Sequence, residues 1–270
     1  MAATPDKVVL VTGASSGIGR ACAEYLAGRG YRVYGASRSA TSGSQVQPLS
    51  MDVTDDASVR AALEQVFARE GRIDIVVNNA GVAIAGAVED TSIEEARAQF
   101  DVNFFGVLRV CRAVLPYLRQ QRSGYLVNIG SIGGLVAIPF QGLYSASKFA
   151  LEGLTESLRM EMSPFGVRVV LIEPGDHRTG LTGNRLMTAA SQTNPAYRER
   201  FQIAAERMAK DEQNGPPPER VARLLHTIVN KRRPGLRYTV GPAPERAAVF
   251  LKRLTPYALI ERIMASYYSR

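Results

Sequence analysis

The stretch Lys7-Val-Val-Leu-Val-Thr-Gly-Ala-Ser-Ser-Gly-Ile-Gly-Arg20 decides the fold. Val8 to Val11 is an unbroken apolar run, the pattern of a strand buried on both faces. Glycines follow at Gly13, Gly17 and Gly19, and Ala21, Cys22, Ala23, Leu26 and Ala27 then read as a helix packing on that strand. Glycine permits a tight turn and lets backbone N–H groups approach a ligand, while the helix N-terminus attracts negative charge. The turn from Gly13 through Ser15, Ser16, Gly17 and Ile18 to Gly19 therefore reads as a seat for a pyrophosphate. Its spacing, G-x-x-x-G-x-G, departs from the G-x-G-x-x-G dinucleotide fingerprint. Taken alone, it fits a bare strand-to-helix turn as well.

Outward from this unit, strand and helix patterns alternate almost without break, which predicts an α/β fold with a doubly wound parallel sheet. Strands are expected at Arg32 to Ser37 and Val46 to Met51, joined by only eight residues, Arg38 to Gln45. That is too short for a full helical crossover, so the connection is either shortened or lacks its helix. A helix from Asp55 to Glu70, with Thr54 as N-cap, leads to a strand at Ile73 to Val77. A long helix then covers Ser92 to Arg119, bent at Pro116. Strands at Tyr125 to Ile129 and Val167 to Ile172 enclose a helix from Leu143 to Met162. The pattern weakens from Thr179 to Gly215, with one helix near Pro195 to Lys210. A helix at Glu219 to Asn230 and a short strand at Tyr238 to Val240 follow. The expected organisation is one domain over residues 1–241, with a lid at about 180–215, and a helical tail over 242–270 that Pro256 splits.

Composition narrows the class. Of 270 residues, 46% are hydrophobic, enough for one large core, and only Cys22 and Cys111 are available as thiols. Both sit in apolar helical patterns, which predicts buried free thiols in a reducing compartment and excludes a disulfide framework. No run approaches a membrane span, and strand residues begin by Val8, ahead of which no signal peptide fits. A soluble, cytoplasmic protein is the expectation. The net charge of +8 comes from arginines scattered on polar helix faces, with one tight run, Lys231-Arg232-Arg233. No zinc-finger spacing or aromatic RNA-binding signature accompanies it, so the charge is assigned to anionic ligands or membrane surfaces rather than nucleic acid. No group of Cys, His, Asp or Glu has metal-ligand spacing.

In open α/β sheets ligands bind beyond the carboxyl ends of the strands. Those ends here carry the glycine turn, Ser37-Arg38, Asp52-Val53, Asn78-Asn79-Ala80-Gly81, Ser131, and the segment from Pro174-Gly175 to Thr179. His177 lies in that last segment as a candidate substrate contact. Tyr144 and Lys148 stand four apart on one predicted helix face. A nearby ammonium favours phenolate and pulls a tyrosine pKa toward neutrality, where proton exchange is efficient. Ser131 can hydrogen-bond an oxygen that shares the Tyr144 proton. The pair alone fits equally a packed ring beside a solvated amine.

Thr12-Gly-Ala-Ser-Ser-Gly-Ile-Gly19, Asn78-Asn-Ala-Gly81, Asn103, Ser131, Tyr144-x-x-x-Lys148 and Pro174-Gly175, in this order, resemble the short-chain dehydrogenase/reductase family in its single-domain form. The resemblance runs by motif from Lys7 to Thr182 and implies a Rossmann fold. It implies Tyr144 as general acid/base, Lys148 as the group that lowers its pKa and binds the nicotinamide ribose, and Ser131 on the substrate oxygen. Asn103 would order a water in a proton relay, and Asn78 would brace the sheet. Gly13, Gly17 and Gly19 would seat the pyrophosphate, Asp52 and Val53 would meet the adenine, and Thr179 the carboxamide. Asn79, Ala80, Gly81, Pro174 and Gly175 complete the implied cofactor site. Relatives that reduce double bonds place their tyrosine and lysine seven apart, so the spacing here favours alcohol–carbonyl chemistry.

NAD-specific relatives carry a carboxylate where this chain has Ser37. With Arg38 next, the expected cofactor is NADP(H), with NAD(H) as the weaker alternative. The short second connection and long tail look similar to the hydroxysteroid and retinol dehydrogenase branch, which implies a lipophilic substrate. A non-catalytic NADP(H)-binding regulator on the same fold is the second class of function. Family members pair two helices across a two-fold axis, so a homodimer or homotetramer is expected. The apolar stripe of the tail, Phe250, Leu251, Leu254, Leu259, Ile260, Ile263 and Tyr267, either packs on the chain itself or meets a membrane surface.

Overall fold

Alternation along β1 (Val8–Thr12) builds both layers of the molecule. Val8 and Leu10 enter one apolar core, and Val9 and Val11 enter another on the opposite face, as period-two side-chain geometry requires. The computed structural model describes residues 7–39, 45–180, 183, 185–252 and 254–269.

In chain order the strands after β1 are β2 (Arg32–Ser37), β3 (Val46–Ser50), β4 (Ile75–Asn78), β5 (Ile84–Ala85), β6 (Gly124–Ile129), β7 (Val167–Pro174), β8 (Leu186–Met187) and β9 (Arg237–Val240). Seven of them form one sheet, in the order β3-β2-β1-β4-β6-β7-β9, and β5 pairs with β8. All the pairings are parallel. The order reverses between β1 and β4, which creates the crevice where such sheets bind ligands.

The helices are α1 (Gly17–Ala27), α2 (Asp56–Glu70), α3 (Ile93–Phe100), α4 (Val107–Gln121), α5 (Gly142–Met162), α6 (Ala189–Thr193), α7 (Arg198–Asn214), α8 (Glu219–Val229), α9 (Ala243–Lys252) and α10 (Tyr257–Tyr268). Helices α2, α4 and α5 cover the Val8/Leu10 face, and α1 and α8 cover the other. The protein is a single Rossmann-like domain with C-terminal helices, as its alternating pattern predicts.

Several expectations need correction. Asp55, not Thr54, caps α2, its carboxylate accepting from Ala57 N at 2.8 Å. The long helix expected from Ser92 is broken by a π-helical turn at Asp101–Gly106, not by Pro116, which stays inside α4. Arg109 holds that turn, bonding both the carboxylate and the carbonyl of Asp101. β7 runs two residues beyond its expected end, and the weak region holds β8 and α6 as well as α7. β2 and β3 pair in parallel from Val33↔Val46 to Ser37↔Ser50. Whether a helix joins them lies outside the described residues, as do the structures of Leu181 and Arg253. Cys22 and Cys111 are buried free thiols, and burial pushes each up to about 12.

The tail departs furthest from its simplest expectation. Neither α9 nor α10 has a buried residue, and Leu254 and Tyr257 are 71% and 70% exposed. It rests on the body through polar contacts. Lys252 donates to the Leu135 carbonyl, and Tyr267 Oη donates to Asp211 at 2.7 Å.

Candidate active site

The glycine turn is packed to the limit. Gly13 has φ +65°, and a Cβ there would fall 2.8 Å from Ala80 Cα. A Cβ on Gly19 would fall 2.3 Å from both Asn79 Nδ2 and the Gly13 carbonyl, so only glycine lets α1 approach β1 this closely. Ser16 is the N-cap of α1 but makes no side-chain cap hydrogen bond, and Ser15 and Ser16 are exposed. The orphan N–H groups of the first turn are thus left for an anion. Gly17 (φ +55°) faces Thr179, whose Cβ would sit 3.4 Å from an added Cβ, so the β7 end closes over the turn. A turn that only glycine lets pack this tightly, followed by a helix N-terminus without a side-chain cap, fits a dinucleotide pyrophosphate.

Asn79 supports this turn. Its amide donates to Thr12 O at 3.0 Å and Gly13 O at 3.2 Å, while Asn79 N and Ala80 N donate to Thr12 Oγ1. Asn78 braces the sheet by donating to Asn128 Oδ1 at 2.9 Å, and Asn128 donates onward to Thr155. Asp52 uses its carboxylate on Thr54 N and Oγ1, which holds its pKa below the usual range. Val53 packs against the core beside Gly106. Ser37 Oγ donates to Ser39 O, and Arg38 is exposed, close enough for its charge to act on Asp52.

Asn103 lies in the π-helical turn and is fully buried. Its Oδ1 accepts from Val82 N at 2.8 Å, and its Nδ2 donates to Val82 O and Ser147 Oγ. A Cβ on Gly81 would lie 3.3 Å from Asn103 Oδ1 and 3.9 Å from Lys148 Nζ. Likewise a Cβ on Gly133 would lie 3.2 Å from Tyr144 Cε1 and 3.3 Å from Ser131 Oγ. Asn103, Ser131, Tyr144 and Lys148 thus line one space, kept open by two glycines. Ser131 stands close enough to the Tyr144 hydroxyl to pull its pKa down.

One electrostatic expectation is overturned in this arrangement. Burial raises the Tyr144 pKa, with Glu212 and Asp176 adding to the rise, against relief from Ser131 and Arg185. Lys148 Nζ stands 5.9 Å from the ring centroid and donates to Ile129 O at 2.9 Å. Burial brings its own pKa down to about 8. Desolvation dominates at both groups, and Lys148 is not among the charges that move Tyr144 here.

At the far edge, Pro174 closes β7 opposite Val240, and Gly175 N donates to Val240 O at 2.7 Å. His177 is buried with Nδ1 on Gly175 O, and burial lowers its pKa. The weak region is pinned at its near end: Thr188 N donates to Ala85 O, and Ala87 N donates to Ser191 Oγ. Among the described residues no group of His, Cys, Asp or Glu is arranged to hold a metal ion.

Comparison with known proteins agrees with this geometry. Residues 7–189 match the family model for short chain dehydrogenase. The 3-ketodihydrosphingosine reductase of Bacteroides thetaiotaomicron is 40% identical, across 97% of this chain and 98% of that protein. The chain belongs to the short-chain dehydrogenase/reductase family. Human 17-beta-hydroxysteroid dehydrogenase type 1 is 35% identical over 86% of this chain and 76% of its own length. A crystal structure of a short-chain dehydrogenase from Streptomyces avermitilis superposes with a TM-score of 0.80 at 36% identity, covering 92% of each chain.

This short-chain dehydrogenase/reductase also carries site residues that motif reading missed. Asp176, Arg185, Glu212 and Glu245 converge near Tyr144 from the β7 loop, the lid and the tail. Their sole signal in the sequence is an acidic residue directly after Pro174-Gly175.

Proposed function

We propose that the protein is an NADP(H)-dependent oxidoreductase that interconverts an alcohol and a ketone or aldehyde on a lipophilic substrate. The observation that carries this reading is the shared space of Ser131, Tyr144, Lys148 and Asn103 beside the glycine turn. Gly13, Gly17 and Gly19, with the first-turn N–H groups after Ser16, would hold the pyrophosphate, and Lys148 the nicotinamide ribose. The bound dinucleotide supplies the hydride.

Tyr144 gives its proton to the carbonyl oxygen as that oxygen gains charge, and takes it back in the reverse direction. Burial keeps this proton on the hydroxyl in the ligand-free site, the form an acid needs. Ser131 hydrogen-bonds the same oxygen. Arg38, exposed just beyond the end of β2, supports the NADP(H) reading, since a guanidinium there would pair with a 2′-phosphate. Exposed Leu186 and Met187 in the lid, and relatives named for a ketosphingoid base and a steroid, support a lipophilic substrate. Two buried thiols support a reducing, cytoplasmic setting. Exposed apolar side chains on α3 and α5 and in the π turn support a homodimer, and those of the tail support contact with a membrane surface.

The test is NADPH consumption against a panel of steroid, retinoid, fatty and sphingoid carbonyls, with Tyr144→Phe alongside. Loss of a proton-transfer group costs roughly 10²–10⁴-fold in turnover, while NADPH should still bind with its fluorescence change. A Tyr144→Phe protein that turns over like the parent removes Tyr144 from the mechanism.

A further inference from the structure

Three separate elements bring carboxylates against the Tyr144 site. Asp176 follows β7, Glu212 comes from α7, and Glu245 from α9. Asp176 N donates to Glu245 Oε2 at 3.0 Å, which sets the two carboxyl groups side by side, each acting on the other's pKa. Carboxylates in contact cannot both ionise freely, so one proton is held between them. Burial, Glu245 and Glu212 all push Asp176 upward. Asp211 and Tyr268 stand near the same pair, and the negative charge of Asp176 and Glu212 reaches the Tyr144 hydroxyl.

A second observation is independent of the acids. The Arg185 side chain is only 2% exposed and is directed into the cluster by its bond to Glu212. Its charge too is felt at Tyr144. Yet Arg185 Nε is buried with no hydrogen-bond partner among the described residues. A buried donor left unmade costs stability, so such an N–H marks a place where a ligand oxygen belongs.

A shared proton beside the reacting oxygen and a vacant donor nearby describe one kind of head group. We infer that the substrate is a long-chain amino ketone, with an ammonium on the carbon next to the carbonyl and a hydroxyl one carbon further. The ammonium lies between Asp176 and Glu245 in place of their shared proton, which leaves to solvent. Arg185 Nε donates to the hydroxyl. This rests on the carbonyl-reductase reading and chooses within it. A steroid ketone brings no cation to the Asp176–Glu245 pair and would leave the Arg185 N–H buried without a partner.

The tail takes part in this selection, because Glu245 belongs to it. Lys252 on the Leu135 carbonyl and Tyr267 on Asp211 hold α9 and α10 across the Ser131 loop and the lid.

The test compares a saturated long-chain 2-amino-1-hydroxy-3-ketone with its N-acetyl derivative, which has the same chain and no charge. NADPH consumption is measured for both with the parent protein, Glu245→Gln and Asp176→Asn. Binding of the corresponding 2-amino-1,3-diol and its N-acetyl form is measured by calorimetry with NADP⁺ present. The parent should prefer the free amine in kcat/KM and in Kd by about tenfold or more, the size of a charge-assisted contact. Each substitution should bring the preference close to parity. The ratio is read within each variant, so a loss of folded protein cancels. Equal use of the N-acetyl compound by the parent, or an unchanged ratio in both variants, overturns the inference. Amine-selective binding of the diol that Glu245→Gln weakens, with no NADPH consumed on any ketone, upholds the amine site and removes the reductase reading.

Discussion

Lys148 Nζ donates a 2.9 Å hydrogen bond to the Ile129 carbonyl, which ties a buried ammonium to the end of β6. Burial lowers its pKa to about 8. Between that value and the usual lysine range, the unfolded chain binds a proton that the native protein does not, so stability rises with pH there. The unfolding midpoint of the ligand-free protein, compared with Lys148→Met, should move in favour of the parent from pH 8 to pH 10. The gain amounts to at most about 3 kcal/mol over the whole window. A difference that stays flat with pH shows that the ammonium is not desolvated as described.

Cofactor preference rests on Arg38. One charge-assisted contact to a 2′-phosphate contributes roughly 1.5–3 kcal/mol, about one to two decades. The position just before the middle glycine, basic in some NADPH enzymes, is Ser16, so Arg38 acts largely by itself. Replacing Ser37 with Asp and Arg38 with Leu should invert the kcat/KM ratio of NADPH to NADH. A parent enzyme that already favours NADH contradicts the assignment.

Association should be visible at micromolar concentration. Ile93, Phe105, Phe149 and Met160 are exposed at 62%, 47%, 41% and 69%, and an open groove runs past Ile93, Phe100 and Phe105. An apolar face of this kind is covered in family members by a two-fold partner. Light scattering should give at least twice the chain mass, and Phe105→Asp should shift it to the monomer. A parent protein of monomer mass refutes the dimer.

The tail should bind membrane. Phe250, Leu251, Leu254, Tyr257, Leu259 and Ile263 are exposed alongside Arg246 and Arg262, an apolar stripe with cationic flanks. Co-sedimentation with anionic vesicles is expected at low salt, weakening as salt rises. Leu254→Ser with Tyr257→Ser should abolish it without unfolding, since both side chains are already in water. No sedimentation at low salt rules the contact out.

The fold was legible because its signals are local. An apolar run, a glycine turn and a helical stripe each report burial within a dozen residues, and their alternation leaves one architecture. That Tyr144 and Lys148 share a helix face was legible for the same reason, since four residues along a helix return to one face, while their proposed roles came from the motif resemblance. What each would do electrostatically was not legible. A pKa depends on how much water the surrounding elements remove, and here burial is the largest influence on both groups.

The sequence by itself determined the sheet and the glycine turn, because short-range periodicity and backbone sterics specify them; the four residues of the proposed chemistry came from the resemblance of their motifs to a family. Tertiary structure alone decided that Asn103 turns inward from a π-helical turn, and that Asn79 staples the glycine loop. It also decided that Asp176 meets Glu245 across 69 residues of chain, with Glu212 and Arg185 beside them. Charged residues on amphipathic helices look like solvated surface in a sequence. Only the packing of lid and tail over the strand ends takes these away from water and turns them toward the site.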